Sequence, residues 1–354
     1  MAESKRVLIT GAGGSDNSVK KRPKIGLIGC GAIAERFYLP ALAKHPSVMQ
    51  NLIPVDRERT RIEKLATQFD LKNGTVDYRE ILSEIDGAII ALPIELHHPV
   101  SMDFLSRGVD VLCEKPLAES ADKGTEMVEQ AQKAGAVLSV NYFQRLIPSF
   151  ARVKELLANA SLGEPLAIKY YVGEIFDWPT VSGFYFNSRN SARGILRDRG
   201  AHVIDHICWW LGGGPSLISS KNDSFGGSEA VAHIQFKHNN CFGEVKLSWL
   251  SSFPCRYIVQ CQDGTIEGDI YDYLTCLLTL KSGKKRRLKS KGQAKLDLGD
   301  KIVTNFINVL NKEAEPLISG REVLQSLQFI DDCYRSATRF DMPWYDLSEH
   351  KNES

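Results

Sequence analysis

Short apolar runs alternate with amphipathic stretches over residues 24–141. The apolar runs are rich in branched aliphatic side chains, as in buried parallel strands, and predict strands at 25–28, 52–55, 87–91, 109–113 and 136–140. Between them, apolar positions recur at helical spacing and predict helices at 32–44, 60–69, 100–107 and 121–133. Pro40 falls within the first helix and should kink or shorten it. This alternation predicts an α/β unit built on a parallel sheet.

From about residue 148 the pattern changes to longer runs in which apolar and polar residues alternate. These runs predict antiparallel strands at 167–173, 230–237, 243–250, 257–262, 265–271 and 274–280. Helices are predicted at 150–157, 200–211, 301–311 and 321–335. We expect the helices to cover one face of a broad open sheet, which leaves the other face available as an oligomer interface.

Composition places the chain among globular proteins and suits two domains. Its 354 residues exceed one ordinary core, and 43% hydrophobic with 25% charged residues is close to the globular average. No apolar stretch is long enough to span a bilayer, and the first residues do not resemble a secretory leader, so we expect a cytoplasmic protein without membrane contact. The eight cysteines form no Cys-x-x-Cys pair, so neither a disulfide framework nor a metal site is predicted.

Charge is balanced along most of the chain. Lys and Arg number 44 against 43 Asp and Glu, and a formal net charge of +1 provides no global field for nucleic acid. The one local excess is the basic run at 284–291, which lies between Gly283 and Gly292. It predicts a solvated strand edge or hairpin, with contact to an anionic ligand or a neighbouring subunit as the alternative.

A glycine-rich motif, Gly29-x-Gly31-x-x-Ala34, follows the first predicted strand. Gly29 permits a tight turn, Gly31 lets the backbone approach a diphosphate, and Ala34 still lets the helix pack on the strand. The helix beyond Gly31 begins at Ala32 and Ile33, where free N–H groups favour phosphate. The motif in this context predicts a dinucleotide-binding Rossmann unit.

The residues after the second predicted strand bear on cofactor choice. Asp56 can accept hydrogen bonds from the adenosine ribose hydroxyls, which favours NAD. Arg57 could hold the 2′-phosphate of NADP or stack on adenine. NAD is therefore the predicted cofactor, and NADP stays open.

The predicted fold class is α/β, with an N-terminal Rossmann domain and a C-terminal α+β domain. The first, at 23–147, has a doubly wound parallel sheet. The second, at 148–345, has a large, mostly antiparallel open sheet and is the predicted substrate and oligomerisation domain. Residues 1–22 contain another strand-like run ending in glycines, but no helix pattern follows, so a flexible extension is predicted there and a tail at 346–354.

Four segments resemble the Gfo/Idh/MocA family, named for glucose-fructose oxidoreductase, inositol dehydrogenase and rhizopine catabolism. They are the glycine motif at 29–34, Ala91-Leu92-Pro93 with His97 beyond it, Glu114-Lys115-Pro116, and Gly-Ile-Leu-Arg-Asp-Arg-Gly-Ala-His-Val-Ile-Asp at 194–205. The likeness spans residues 24–343. The third and fourth segments, in this order, make it specific.

The resemblance implies a chemical site at the domain cleft. It places Lys115 beside the nicotinamide and the reacting hydroxyl, with His202 as the acid or base on that hydroxyl and Asp198 as hydrogen-bond partner to substrate and histidine. The spacing of four lets Asp198 and His202 share one helix face. The other implied contacts are with the cofactor at Pro93, His97 and Glu114, and with the substrate at Arg145.

The chemistry agrees with these roles. Hydride leaves a carbinol carbon as its proton departs, and an imidazole with a pKa near ~6.5 is suited to accept that proton. The charge on Lys115 should favour the neutral form of His202. Two aromatic residues, Trp178 and Tyr185, could form a wall of a sugar or nucleobase pocket. Because some relatives that reduce keto-sugars use a tyrosine as proton donor, Tyr185 is the alternative to His202.

The implied activity is NAD(P)-dependent hydride transfer to or from a secondary carbinol or ketone carbon. The expected partner is a sugar-type small molecule, namely a sugar, a cyclitol or a nucleotide sugar, and a homodimer or homotetramer would form through the C-terminal sheet. Two alternatives stay open. One is a non-catalytic sensor of NAD(P) or sugar, since a yeast galactose-pathway repressor shares this fold, and the other is a glycosidase of the same family that holds its NAD tightly.

Overall fold

The structure, a computed structural model, describes residues 22–71, 74–176, 194–224, 227–291 and 298–341. The predictions made for residues 1–21, for Trp178 and Tyr185, and for the tail at 346–354 lie outside these ranges. The predicted domain boundary near residue 147 stays a prediction.

Five parallel strands form the first sheet. They are β1 (Ile25–Ile28), β2 (Ile53–Val55), β3 (Gly87–Ile90), β4 (Asp110–Cys113) and β5 (Leu138–Val140). Their order is β2-β1-β3-β4-β5, with every neighbouring pair parallel. Nearly all their side chains are buried because helices cover both faces, which explains the continuous apolar runs. The predicted parallel sheet is confirmed.

The helices of this unit are α1 (Leu39–Leu42), α2 (Pro46–Met49), α3 (Arg59–Phe69), α4 (Ile94–Leu105) and α5 (Ala121–Ala134). A π-helical turn, Ala34–Tyr38, precedes α1, so the helix is irregular next to Pro40, as predicted. The prediction placed the start of α4 too late, at residue 100. Pro99 is accommodated inside the helix.

Nine strands form the second sheet. They are β6 (Pro165–Gly173), β7 (Ser216–Asn222), β8 (Val231–His238), β9 (Cys241–Ser248), β10 (Phe253–Cys261), β11 (Gly264–Asp269), β12 (Thr275–Leu280), β13 (Lys285–Lys289) and β14 (Ala337–Arg339). Their order is β13-β12-β11-β10-β6-β9-β8-β7-β14. Only the β6–β9 and β7–β14 pairs among these described strands are parallel, so the mostly antiparallel sheet is confirmed. The basic run forms the exposed edge strand β13 of a hairpin, as predicted.

Three helices lie against the second sheet: α6 (Pro148–Ala158), α7 (Ile195–Leu211) and α9 (Leu324–Arg335). The fourth, α8 (Leu298–Leu310), was expected there too, and that expectation is wrong. Its apolar residues Ile302, Val303 and Phe306 belong to the core around β1 and α1 in the first unit. An amphipathic pattern shows that one face is buried but does not identify what covers it.

The chain after α8 also returns to the first sheet. The Gly320 amide donates to the Leu138 carbonyl at 2.8 Å, and the Val140 amide donates to the Ile318 carbonyl at 2.9 Å. These bonds satisfy the outer edge of β5, which would otherwise be open to pairing with another chain.

Candidate active site

The glycine loop has the geometry that a dinucleotide diphosphate requires. Gly29 has φ +105°, and a Cβ there would lie 2.3 Å from the Ala91 carbonyl oxygen, so only glycine fits. A Cβ at Gly31 would meet nothing within 4 Å, which leaves open space beside the backbone. The start of the first helix at Ala32 and Ile33 faces this space with its unpaired end. The loop therefore fits the cofactor.

Asp56 follows β2, and its carboxylate is hydrogen-bonded to the backbone of the glycine loop. It is 8% exposed, and its carboxylate accepts the Cys30 amide at 3.0 Å and the Glu58 amide at 2.9 Å. The Arg57 side chain is 84% exposed and lies 3.9 Å from the Glu58 carboxylate. Of the two, the carboxylate is the group built into the loop.

Lys115 follows β4, where its backbone is fixed by a buried network. The Glu114 carboxylate accepts the Tyr38 hydroxyl at 2.7 Å, the Asn141 side-chain amide at 2.7 Å and the Lys115 amide at 3.2 Å. The Lys115–Pro116 peptide bond is cis. Glu114 thus connects the first helix, the end of β4 and the end of β5 directly beneath the lysine.

His97 joins the loops after β3 and β4. Its Nδ1 lies 2.9 Å from the Pro116 carbonyl oxygen and its Nε2 lies 2.8 Å from the Leu92 carbonyl oxygen. Burial lowers the pKa of His97, which favours a neutral ring with a single N–H to donate. His97 thus lies between the loops after β3 and β4, in the helix that begins next to Pro93.

Helix α7 brings the second half of the site to Lys115. The Lys115 ammonium donates to the Asp198 carboxylate at 2.7 Å and to the Asp198 carbonyl oxygen at 3.1 Å. This ion pair is largely shielded from solvent, with side-chain exposures of 16% and 25%. The structure thus brings together Lys115 and Asp198, two of the three predicted catalytic side chains that lie in the described residues.

The N-terminus of α7 is held by Glu229. This buried carboxylate accepts hydrogen bonds from the Leu196 amide at 2.9 Å and the Tyr334 hydroxyl at 2.7 Å. The backbone carbonyl of Glu229 accepts a further bond from the Ile195 amide. A Cβ at Gly194 would lie 2.0 Å from this carboxylate, which explains the glycine. Asp198 is in the first turn of α7, so this cap sets its position.

His202 lies one turn beyond Asp198 on the same face of α7. It is buried, and the rings of Tyr142 and Phe143 meet it edge-on at centroid distances of 5.7 and 5.3 Å. Burial lowers the pKa of His202 well below the ordinary histidine value, and the positive charges of Lys115 and Arg199 lower it further. The ring is therefore neutral at physiological pH. Among the described residues, its buried Nδ1 has no hydrogen-bond partner.

Arg145 is buried in a bidentate ion pair. It is 6% exposed, and its Nε and Nη2 donate to the two oxygens of Asp205, each at 2.7 Å. Its role as a substrate contact stays a prediction, and the geometry offers that role no support. His206 is likewise buried, with its Nδ1 3.0 Å from the Tyr170 hydroxyl.

Sequence reasoning missed three of the residues that shape the site: Tyr38, Asn141 and Glu229. Tyr38 resembles an ordinary core residue in the sequence, since nothing local shows that its hydroxyl reaches Glu114. Glu229 comes 33 residues after the amide that it caps. Only Asn141 carried a signal, as a polar residue at the carboxyl end of a buried strand.

The three buried histidines predict that the protein loses stability in acid. Burial lowers the pKa of His97, His202 and His206, the last to about 3, whereas the unfolded chain titrates near ~6.5. Below that value the unfolded state binds more protons, so the free energy of unfolding should decrease as pH falls. The slope is up to about 1.4 kcal/mol per pH unit for each ring that stays neutral when folded.

Urea unfolding of the wild type and His206→Phe between about pH 7 and pH 5 checks this. The carboxylates contribute equally in both proteins. The free energy of unfolding should therefore change less steeply with pH in the variant, by the equivalent of up to one bound proton. Equal slopes would mean that His206 titrates normally in the folded state.

Comparisons with known proteins were made for the whole chain. Residues 23–142 match the oxidoreductase family with an NAD-binding Rossmann fold, and residues 150–267 match the GFO/IDH/MocA C-terminal domain. The 1,5-anhydro-D-fructose reductase of Ensifer adhaerens is 25% identical over 58% of this chain and 62% of its own length. The NADP-dependent scyllo-inositol 2-dehydrogenase of Bacillus subtilis is 27% identical over 53% and 52%. The matched region thus spans about half to two thirds of these two relatives.

A solved structure agrees over a longer range. The 3-ketoreductase of Actinomadura kijaniata, in complex with NADP and TDP-benzene, superposes with a TM-score of 0.75 at 18% identity, covering 90% of this chain and 99% of the other. At that identity the likeness supports the fold. In the part of the chain that the structure describes, no helix has the length and apolar character to cross a membrane. The two domain matches, on the sheets described above, show that the chain belongs to the Gfo/Idh/MocA family of oxidoreductases.

Proposed function

We propose that the protein is an NAD(P)-dependent oxidoreductase that moves a hydride between nicotinamide and a secondary alcohol or ketone carbon of a sugar, cyclitol or nucleotide sugar. The meeting of Lys115, Asp198 and His202 at the carboxyl edge of the first sheet carries this proposal. Relatives named for reducing 1,5-anhydro-D-fructose and for oxidising scyllo-inositol support the substrate class.

The proposed roles divide the proton chemistry among three side chains. The bound nicotinamide supplies or accepts the hydride. In oxidation, His202 in its neutral form accepts the hydroxyl proton, while the Lys115 ammonium stabilises negative charge that develops on the oxygen. Asp198 holds Lys115 toward the cleft. Trp178 as part of the substrate pocket and Tyr185 as the alternative proton donor stay predictions.

The proposed cofactor contacts follow the loops at this edge of the sheet. The loop from Gly29 to Ile33 would hold the diphosphate, and Asp56 with Arg57 would lie at the adenosine ribose. The loops of Pro93, His97 and Glu114 would border the nicotinamide.

We expect NAD to be preferred over NADP, because a 2′-phosphate would meet the Asp56 carboxylate. In Asp56→Ser, the ratio of kcat/KM for NAD to that for NADP should fall at least about tenfold, equivalent to about 1.4 kcal/mol. Serine keeps one acceptor for the loop amides. Glu58→Gln removes a neighbouring carboxylate and serves as the control. A wild-type enzyme that prefers NADP would contradict this assignment.

The test of the function is a near-ultraviolet assay of reduced nicotinamide. Purified protein, NAD or NADP, and a panel of sugars, inositols and nucleotide sugars would be assayed for oxidation, and keto-sugars for reduction. A substrate-dependent signal that is lost in Lys115→Ala is the expected result. No signal in either direction, despite measured cofactor binding, would contradict the proposal.

Assembly and location extend the proposal. The open face of the second sheet carries exposed Phe242 next to a polar cluster in which Glu244 accepts Tyr171 and contacts His233. This mixed surface supports a homodimer or homotetramer formed through the sheet, which light scattering would measure. All eight cysteines are free thiols, which supports a reducing compartment such as the cytoplasm.

A further inference from the structure

One face of α7 carries three polar residues at helical spacing, and each contacts a loop of the first domain. Asp198 pairs with Lys115 after β4. His202 packs on Tyr142 and Phe143 after β5. Asp205, one turn further, pairs with Arg145 in the same turn after β5. The i, i+4, i+7 spacing places all three on the side of α7 that faces the Rossmann sheet.

We propose that the buried Arg145–Asp205 pair is a positioning device that sets His202 against Lys115, and that Arg145 acts through it without touching substrate. This inference rests on the proposed function. A bidentate guanidinium–carboxylate pair fixes both distance and plane, which a single hydrogen bond does not. Lys115 holds Asp198 near the start of α7, and Arg145 holds Asp205 two turns further along the same face. With both positions fixed, α7 can neither rotate nor slide relative to Lys115.

The pair is anchored on both sides. On the Arg145 side, Asn141 lies four residues earlier in the chain, and its side-chain amide donates to Glu114, the neighbour of Lys115. On the Asp205 side, the Ser326 hydroxyl of α9 donates to Asp205 at 3.3 Å. The Arg145 guanidinium also contacts the Glu322 carboxylate at 3.5 Å, so Arg145 and Asp205 each have a second partner in the fold.

Because the pair is buried, it contributes little net stability to the fold. Arg145 is 6% and Asp205 is 1% exposed, and removing two charges from water consumes most of the attraction between them. An apolar contact of the same volume would stabilise the domain interface as well. What the ion pair adds is a single allowed geometry for α7.

The proposal predicts a specific pattern in Arg145→Gln. We expect kcat to fall about 10- to 100-fold, because a displacement near 1 Å is sufficient for such a loss, with KM changed less than about threefold. As His202 separates from Tyr142 and Phe143, its ring gains solvent and its pKa should rise toward the ordinary value. The acid limb of kcat/KM should then move to higher pH. Nitrogen NMR of labelled histidine should show the same rise without substrate, a readout that survives if the proposed activity fails.

The controls separate positioning from folding. Arg152→Gln removes an exposed Arg–Glu pair on α6 and should change neither kcat nor the pH profile. Arg145→Lys keeps the charge but loses the bidentate contact, so it carries the test with the same two readouts if Arg145→Gln does not fold. A folded variant with wild-type kcat and an unshifted His202 would overturn the proposal, as would an increase in KM with kcat unchanged, since that is the signature of a substrate contact.

Discussion

Lys115→Ala should lower kcat by about a thousandfold or more while the protein still binds its cofactor. The lysine is placed to stabilise charge on the reacting oxygen, and removing one such group from a preorganised site costs about 10²–10³. It also helps to keep His202 neutral, since the Lys115 charge lowers the pKa of that ring. Both effects act in the chemical step. Stopped-flow turnover together with a cofactor titration by fluorescence would measure kcat and affinity separately.

Two controls make this result interpretable. Lys123→Ala removes an exposed lysine that pairs with Glu119 and should leave turnover unchanged. Lys115→Met with Asp198→Asn avoids leaving the Asp198 carboxylate unpaired, so its loss of activity cannot be attributed to an uncompensated charge. Turnover within about tenfold of wild type in either Lys115 variant would rule out the assigned role, since it is far below the loss expected for such a group.

His202→Gln should lower kcat/KM by about 10²–10⁴, the range for removal of a general acid or base. In the wild type, the low pKa of His202 keeps the ring able to accept a proton well into acid, so oxidation should hold its rate below about pH 6.5. Reduction requires the protonated His202 ring, so the rate of reduction should decrease as the pH is raised from acidic values. Both dependences should disappear in the variant.

Tyr185→Phe distinguishes the two candidate donors. If His202 is the acid or base, the tyrosine variant keeps the pH dependence of the wild-type rate. A pH dependence that persists in His202→Gln and is lost in Tyr185→Phe would transfer the role to the tyrosine.

Strong periodic patterns located most of the fold from sequence. Strand β1 matches its predicted bounds, and α5 matches its predicted start, because a buried apolar run and an amphipathic helix each leave a clear signal. Strand β7 was missed because its sequence, Ser-Leu-Ile-Ser-Ser-Lys-Asn, is mostly polar and lies near the sheet edge. Strand β14 was missed because three residues carry no period.

The site residues likewise divide into those with a local sequence signal and those without one. Lys115 and Asp198 were both named from local motifs, and the structure joins them. Arg145 was also named, but its partner Asp205 lies 60 residues away, and sequence alone does not reveal whether an arginine near a cleft faces ligand or core. The supporting residues Tyr38 and Glu229 were missed for that reason. Motifs identify the groups that do chemistry, whereas the groups that hold them depend on the tertiary fold.

The return of α8 to the first domain has a consequence for synthesis on the ribosome. The core around β1 includes Ile302 and Phe306, so the nucleotide-binding half emerges long before the helix that completes it. At about 5–20 residues per second, the delay from residue 147 to residue 310 is on the order of 10 to 30 s. During that interval the apolar surface around Leu42 lacks its cover. We therefore expect a fragment ending at residue 147 to be prone to aggregate.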